Sequence, residues 1–135
     1  MRIAVIDGQG GGIGKAMVEK IRSELGAAVE IIALGTNALA TSAMLKSGAD
    51  EGATGENAIV YNADKVDIIT GAIGIIAANA MLGELTPAMA KAIAESPAQK
   101  VLIPMNRCNV QIAGVRGMAL PQYIEDAVQL IRERL

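Results

Sequence analysis

Six residues into the chain, the apolar run Arg2 to Ile6 stops at Asp7, and five glycines follow within the seven positions Gly8 to Gly14. The run shows no polar alternation, the pattern of a strand buried on both faces in the middle of a parallel sheet. Beyond the glycines, Ile13, Met17, Val18, Ile21 and Leu25 recur at helical spacing, with Lys15, Glu19, Lys20 and Arg22 between them. Gly26 stops that helix. A buried strand, a glycine turn and an amphipathic helix in immediate succession begin a βαβ unit, and few folds accept such an opening.

The remainder of the chain continues the alternation. Val29 to Leu34 reads as a second buried strand, closed at Gly35, and Thr36 is positioned to cap a helix running to Lys46 that Gly48 ends. Ala49 to Ala53 fits a short edge strand, Glu56 to Lys65 a short helix, and Val66 to Thr70 the next buried strand, closed by Gly71. Ile73 to Leu82 is compatible with either a strand continuation or a helix. Thr86 followed by Pro87 marks a helix start, with the end at Ser96-Pro97. Lys100 to Ile103 and Val110 to Gly114 read as further strands. Pro121 opens a last helix whose apolar stripe is Ile124, Ala127, Val128, Ile131 and Leu135. The expected fold is a single α/β domain over residues 1–135, a Rossmann-like three-layer sandwich around a mostly parallel sheet of five to six strands.

Composition narrows the function. Of the 135 residues 52% are hydrophobic, yet Phe, Trp and His are absent, so the core must be aliphatic. A net charge of −2 and no basic run leave no footprint for nucleic acid. The uncharged stretches Ile31 to Leu45 and Ile68 to Gly83 are too short to span a membrane. The lone Cys108 cannot form an internal disulfide, and the start of the chain lacks a signal-peptide pattern; both fit a soluble cytoplasmic protein. Without histidine, Cys108 has no base to activate it and a transition-metal site lacks its usual ligands. The apolar, Ala-rich composition points to a homodimer.

The chemistry concentrates in the first turn. The opening N–H groups of a helix have no helical partner, the dipole there is positive, and glycine lets backbone approach an anion without an intervening Cβ. Gly8, Gln9, Gly10, Gly11, Gly12, Ile13, Gly14 and Lys15 are therefore candidates to hold a small phosphate-bearing ligand. A tight strand-to-helix turn would also need glycine for its geometry, though five exceed what one turn requires. Three other strand ends meet the same sheet edge. They contribute Thr36 and Asn37; Thr70, Gly71 and Ala72; and Asn106, with Arg107 and Asn109 beside it.

Gly8, Gly12 and Gly14 give G-x-x-x-G-x-G, with Ile13 between the last two, which resembles the motif of short-chain dehydrogenases over the first βα unit. That resemblance implies a nicotinamide dinucleotide, NADP or NAD, as ligand. The later checkpoints of that family differ. Leu34-Gly35-Thr36-Asn37 carries no acid for a ribose and no Arg for a 2′-phosphate. Tyr61 and Lys65 have the Tyr-x-x-x-Lys spacing but come too early in the chain; a helix surface is the simpler reading. Gly11-Gly12-Ile13-Gly14-Lys15 also looks like a deviant phosphate loop, but Gln9 replaces its first glycine and Ala16 its metal-binding hydroxyl. Over nearly its full length the chain resembles a small bacterial family known as a domain of unknown function. The segments are Asp7 to Gly14, Ala53-Thr54-Gly55-Glu56-Asn57, Gly83-Glu84-Leu85-Thr86-Pro87 and Ile103-Pro104-Met105-Asn106. That resemblance implies a Rossmann-like fold and assigns no activity. The expectation is a nucleotide- or dinucleotide-binding module; the alternatives are a non-catalytic interaction or regulatory protein and a degenerate P-loop ATPase.

Overall fold

Adjacent residues of the first strand face opposite ways: Ile3 and Val5 enter one core, Ala4 and Ile6 the other, all fully buried. A strand with two apolar faces needs a helical layer on each side, and the computed structural model, which describes residues 1–105 and 109–135, has that form. Strands β1 (Arg2–Asp7), β2 (Glu30–Gly35), β3 (Glu51–Thr54), β4 (Ile68–Ala72) and β5 (Gln99–Ile103) form one sheet in the order β3-β2-β1-β4-β5, every pairing parallel. The helices are α1 (Gly12–Leu25), α2 (Ala38–Lys46), α3 (Glu56–Asn62), α4 (Pro87–Glu95) and α5 (Leu120–Arg132). Met17, Val18 and Ile21 of α1, Met44 of α2 and Ile124, Val128 and Ile131 of α5 pack on one face. Ile59 of α3 and Met89, Ala90 and Ile93 of α4 pack on the other. The three-layer α/β sandwich expected from the alternation is the observed fold.

Four local readings need correction. Thr36 does not cap α2: Asn37 does, its Oδ1 accepting the Ala40 N–H at 2.8 Å, because the Thr36 hydroxyl is engaged elsewhere. Val110 to Gly114 forms no strand; these residues are exposed, and the sheet ends at β5. Ile73 to Leu82 is neither strand nor regular helix. A 3-10 turn over Ile73–Ile76 leads into tight turns in which Asn79, Met81 and Leu82 have φ of 66°, 60° and 58°. Leu135 is exposed beyond α5 and takes no part in its buried stripe. The Thr86-Pro87 start of α4 is as expected, with Thr86 Oγ1 accepting the Met89 N–H at 3.2 Å.

Candidate functional site

From β1 the chain steps outward to β2 and β3, then crosses back to lay β4 on the other side of β1. Connections therefore diverge between β1 and β4, and in such sheets a crevice opens beyond the carboxyl ends of the diverging strands. A cleft of about 530 Å³ lies there. Its walls are the turn from Asp7 to Ile13, Ala72 at the end of β4, Gly74 beyond it, Met81 and Leu82 from the connection to α4, and Met105 beyond β5.

The five glycines of the turn separate into two groups. Gly8, Gly11 and Gly14 are required by packing. A Cβ on Gly8 would lie 2.4 Å from Thr36 Oγ1 and 2.6 Å from Met81 Sδ. On Gly11, whose φ is 76°, it would lie 2.8 Å from Ala40 Cα. On Gly14 it would meet Met44 Sδ at 2.7 Å and Asp7 Cβ at 2.8 Å. Gly10 and Gly12 differ: neither has a positive φ, and a Cβ on either would meet nothing within 4 Å. Both are exposed in the wall of the cleft. The fold would accept a larger residue at either position, so these two glycines keep space open on the cleft side.

Asp7 is the buried acid beneath the turn. Its Oδ1 accepts the Gly8 N–H at 2.8 Å and its Oδ2 the Gly14 N–H at 2.6 Å. Burial pushes this carboxyl above the usual aspartate range; the Gly14 and Gly8 N–H groups pull it back, and the nearby Glu84 carboxylate raises it further. Because Asp7 takes the third amide of α1, the Gly12 and Ile13 N–H groups are the unpaired ones at that helix end among the described residues.

Glu84, which the sequence reading did not single out, lies on the same turn. Its Oε1 accepts from Gln9 N at 2.8 Å, Thr36 Oγ1 at 2.7 Å and Asn37 Nδ2 at 2.8 Å. The Thr36 hydroxyl, the Gln9 N–H and the Asn37 amide hold it below the usual glutamate range, against a smaller opposing effect of burial. One signal could have found it: Glu84 is the sole charged residue between Asp67 and Lys91.

The other candidates are placed differently from one another. Thr36 and Asn37 stand beside the turn, but their polar groups are committed to Glu84, to Gln9 O and to the α2 cap. Thr70 is fully buried and donates to Val101 O at 2.7 Å inside the sheet, so it offers nothing to the cleft, while Ala72 lines it. Gly71 is a packing glycine, since a Cβ there would lie 2.5 Å from Ile6 O. Lys15 is exposed in the first turn of α1 and outside the cleft wall. Asn106, Arg107 and Cys108 lie outside the described residues. Tyr61 lies in α3 and Lys65 between α3 and β4, both outside the cleft wall. Lys65 Nζ stacks 4.0 Å from the Tyr61 ring centroid, an exposed surface pair.

An all-parallel five-stranded sheet with a glycine turn at its switch point places the protein among Rossmann-like α/β folds. The chain belongs to the family described as a domain of unknown function (DUF3842), whose model matches residues 2–135. No curated protein and no solved structure matches it.

Proposed function

We propose that this protein binds a nucleotide or dinucleotide in the cleft between β1 and β4, with a phosphate on the backbone from Gly10 to Ile13. The observation that carries the reading is the pair Gly10 and Gly12. Neither packing nor backbone conformation calls for glycine there, yet glycine at a helix start gives up conformational stability that alanine would supply. A phosphate is what that open space suits. The Gly12 and Ile13 N–H groups point along the positive end of the α1 dipole, which carries roughly half an elementary charge. The Ile13, Met81, Leu82 and Met105 side chains supply apolar surface for a base. Asp7 and Glu84 are both bound to backbone or side-chain donors, and no nucleophile–base pair lines the cleft among the described residues. The reading therefore stops at binding.

The experiment is a thermal melt with NAD, NADP, ATP with and without magnesium, GTP, FMN and S-adenosylmethionine. A ligand at about 100 times its Kd stabilises by roughly 2.7 kcal/mol, a rise of several degrees in Tm for a domain of this size. Gly12→Asp is the control: an acidic residue in the first turn of a helix suits its dipole, so the variant should fold, with a carboxylate where the phosphate would sit. A shift that Gly12→Asp abolishes supports the site. A shift that persists in the variant moves the site elsewhere, and no shift with any ligand refutes the reading.

A further inference from the structure

We propose that Glu84, which adjoins the cleft through its hydrogen bond from Gln9, is the ribose acceptor for the bound nucleotide and selects nucleotides with a free 2′-hydroxyl over those carrying a 2′-phosphate. The inference rests on the nucleotide-binding reading and names the class of nucleotide. In sheets of this order, an acid at the tip of the strand after the glycine turn takes the ribose hydroxyls of a bound dinucleotide. Here that tip, Gly35-Thr36-Asn37, has no acid of its own. The fold brings one from a separation of 48 residues: Glu84 Oε1 is fixed by the hydroxyl of Thr36 at the β2 tip, the amide of Asn37 and the N–H of Gln9 in the turn.

Three features make this carboxylate an acceptor built for a ligand. First, its hydrogen bonds fall on one oxygen. Oε2 accepts none among the described residues, although an ionised carboxylate offers roughly four lone-pair sites in all. Second, no Lys or Arg pairs with it among the described residues, so its charge is not neutralised by an ion pair there. Third, Gly8 leaves room beside it: a Cβ there would stand 2.4 Å from the Thr36 hydroxyl that holds Glu84, 2.6 Å from Met81 Sδ and 3.0 Å from Glu84 Oε1. Gln9, whose N–H binds Glu84, directly precedes Gly10, so the acid and the phosphate cradle adjoin in one turn. A ribose hydroxyl donates to Oε2, whereas a 2′-phosphate has no proton to give at neutral pH and meets like charge.

The test is calorimetric titration of the full chain with NAD against NADP and with ADP against 2′-deoxy-ADP, in wild type, Glu84→Gln and Gly12→Asp. Glutamine keeps an Oε1 for the three donors, and a Tm within a few degrees of wild type verifies that the turn is intact. The expected result is NAD binding on the order of 100-fold tighter than NADP. ADP should likewise bind more tightly than its 2′-deoxy analogue, and both preferences should shrink at least tenfold in Glu84→Gln. A merely structural role for Glu84 would weaken every nucleotide alike and leave the ratios unchanged, which overturns the inference. So does equal binding of NAD and NADP by wild type. Binding that Gly12→Asp abolishes while Glu84→Gln leaves the ratios intact overturns this inference alone; absence of all nucleotide binding overturns the underlying reading and this inference with it.

Discussion

The two ends of the sheet are finished by opposite means. At the amino ends of the strands, charges meet partners. Arg22 donates to Gly48 O at 2.9 Å, Gly26 O at 2.7 Å and Val29 O at 3.1 Å, and pairs with Asp50 at 2.7 Å. Asp50 also accepts the Ile31 N–H at 2.8 Å, and Arg2 bridges Glu30 and Glu51 at 3.2 Å and 3.3 Å. At the carboxyl ends, the amides of Gly12 and Ile13 and one oxygen of Glu84 have no partner among the described residues. Two glycines there meet nothing, and Leu82 is 97% exposed at the cleft on left-handed backbone. One end uses its polar groups to hold the chain together. The other holds some in reserve, and unpaired, well-placed groups are what a binding site requires.

The largest effect that would test this contrast comes from two glycines of the carboxyl end. Gly71→Ala forces a Cβ to 2.5 Å from a central-strand carbonyl, so a loss of about 3 kcal/mol or failure to fold is expected. Gly10→Ala should stay within about 0.5 kcal/mol of wild type in the same urea melts. Similar losses from the two would mean that Gly10 belongs to the packing after all. Next in size is Arg22→Ala, which strips donors from three carbonyls at the closed end. It should lower stability by about 2 kcal/mol and leave every ligand-induced Tm shift unchanged. A loss of binding in this variant would couple the two ends and break the comparison.

The smallest effect is a pair of opposite pH slopes. Glu84 is held below its ordinary value of 4.5, so its stabilising contribution is present above that value and is lost as pH falls through the folded one. Asp7 is raised above 3.8, so its contribution is full below that value and is lost as pH rises through the folded one. In urea melts from pH 6 to pH 3, the destabilisation caused by Glu84→Gln should therefore shrink, while that caused by Asp7→Asn should grow. Parallel slopes would show that the two acids do not occupy the different environments described above.

The order of strands and helices was legible because it is written locally. Unbroken apolar runs, helical stripes and the Thr86-Pro87 start each need only neighbouring residues to declare themselves. Val110 to Gly114 misled for the same reason: an apolar segment advertises that it could pair, but whether it does is decided by where the chain carries it, and this segment does not join the free edge of β5. The cap of α2 was read one residue early because Thr36 and Asn37 are both good caps. A residue 48 positions away claims the Thr36 hydroxyl and leaves the cap to Asn37.

The glycine turn shows where local information ends. Its place between β1 and α1, and with it the position of the cleft, could be read from residues 2–25, because strand, turn and helix are set by propensity and burial pattern. Which glycines serve packing and which face open space could not, since that depends on Ala40, Met44, Thr36 and Met81 arriving from three later segments. Glu84 was hidden for the same reason. Its role comes from three donors on two other segments, and only the closing of the sheet, with β4 laid beside β1, brings them to one carboxylate oxygen.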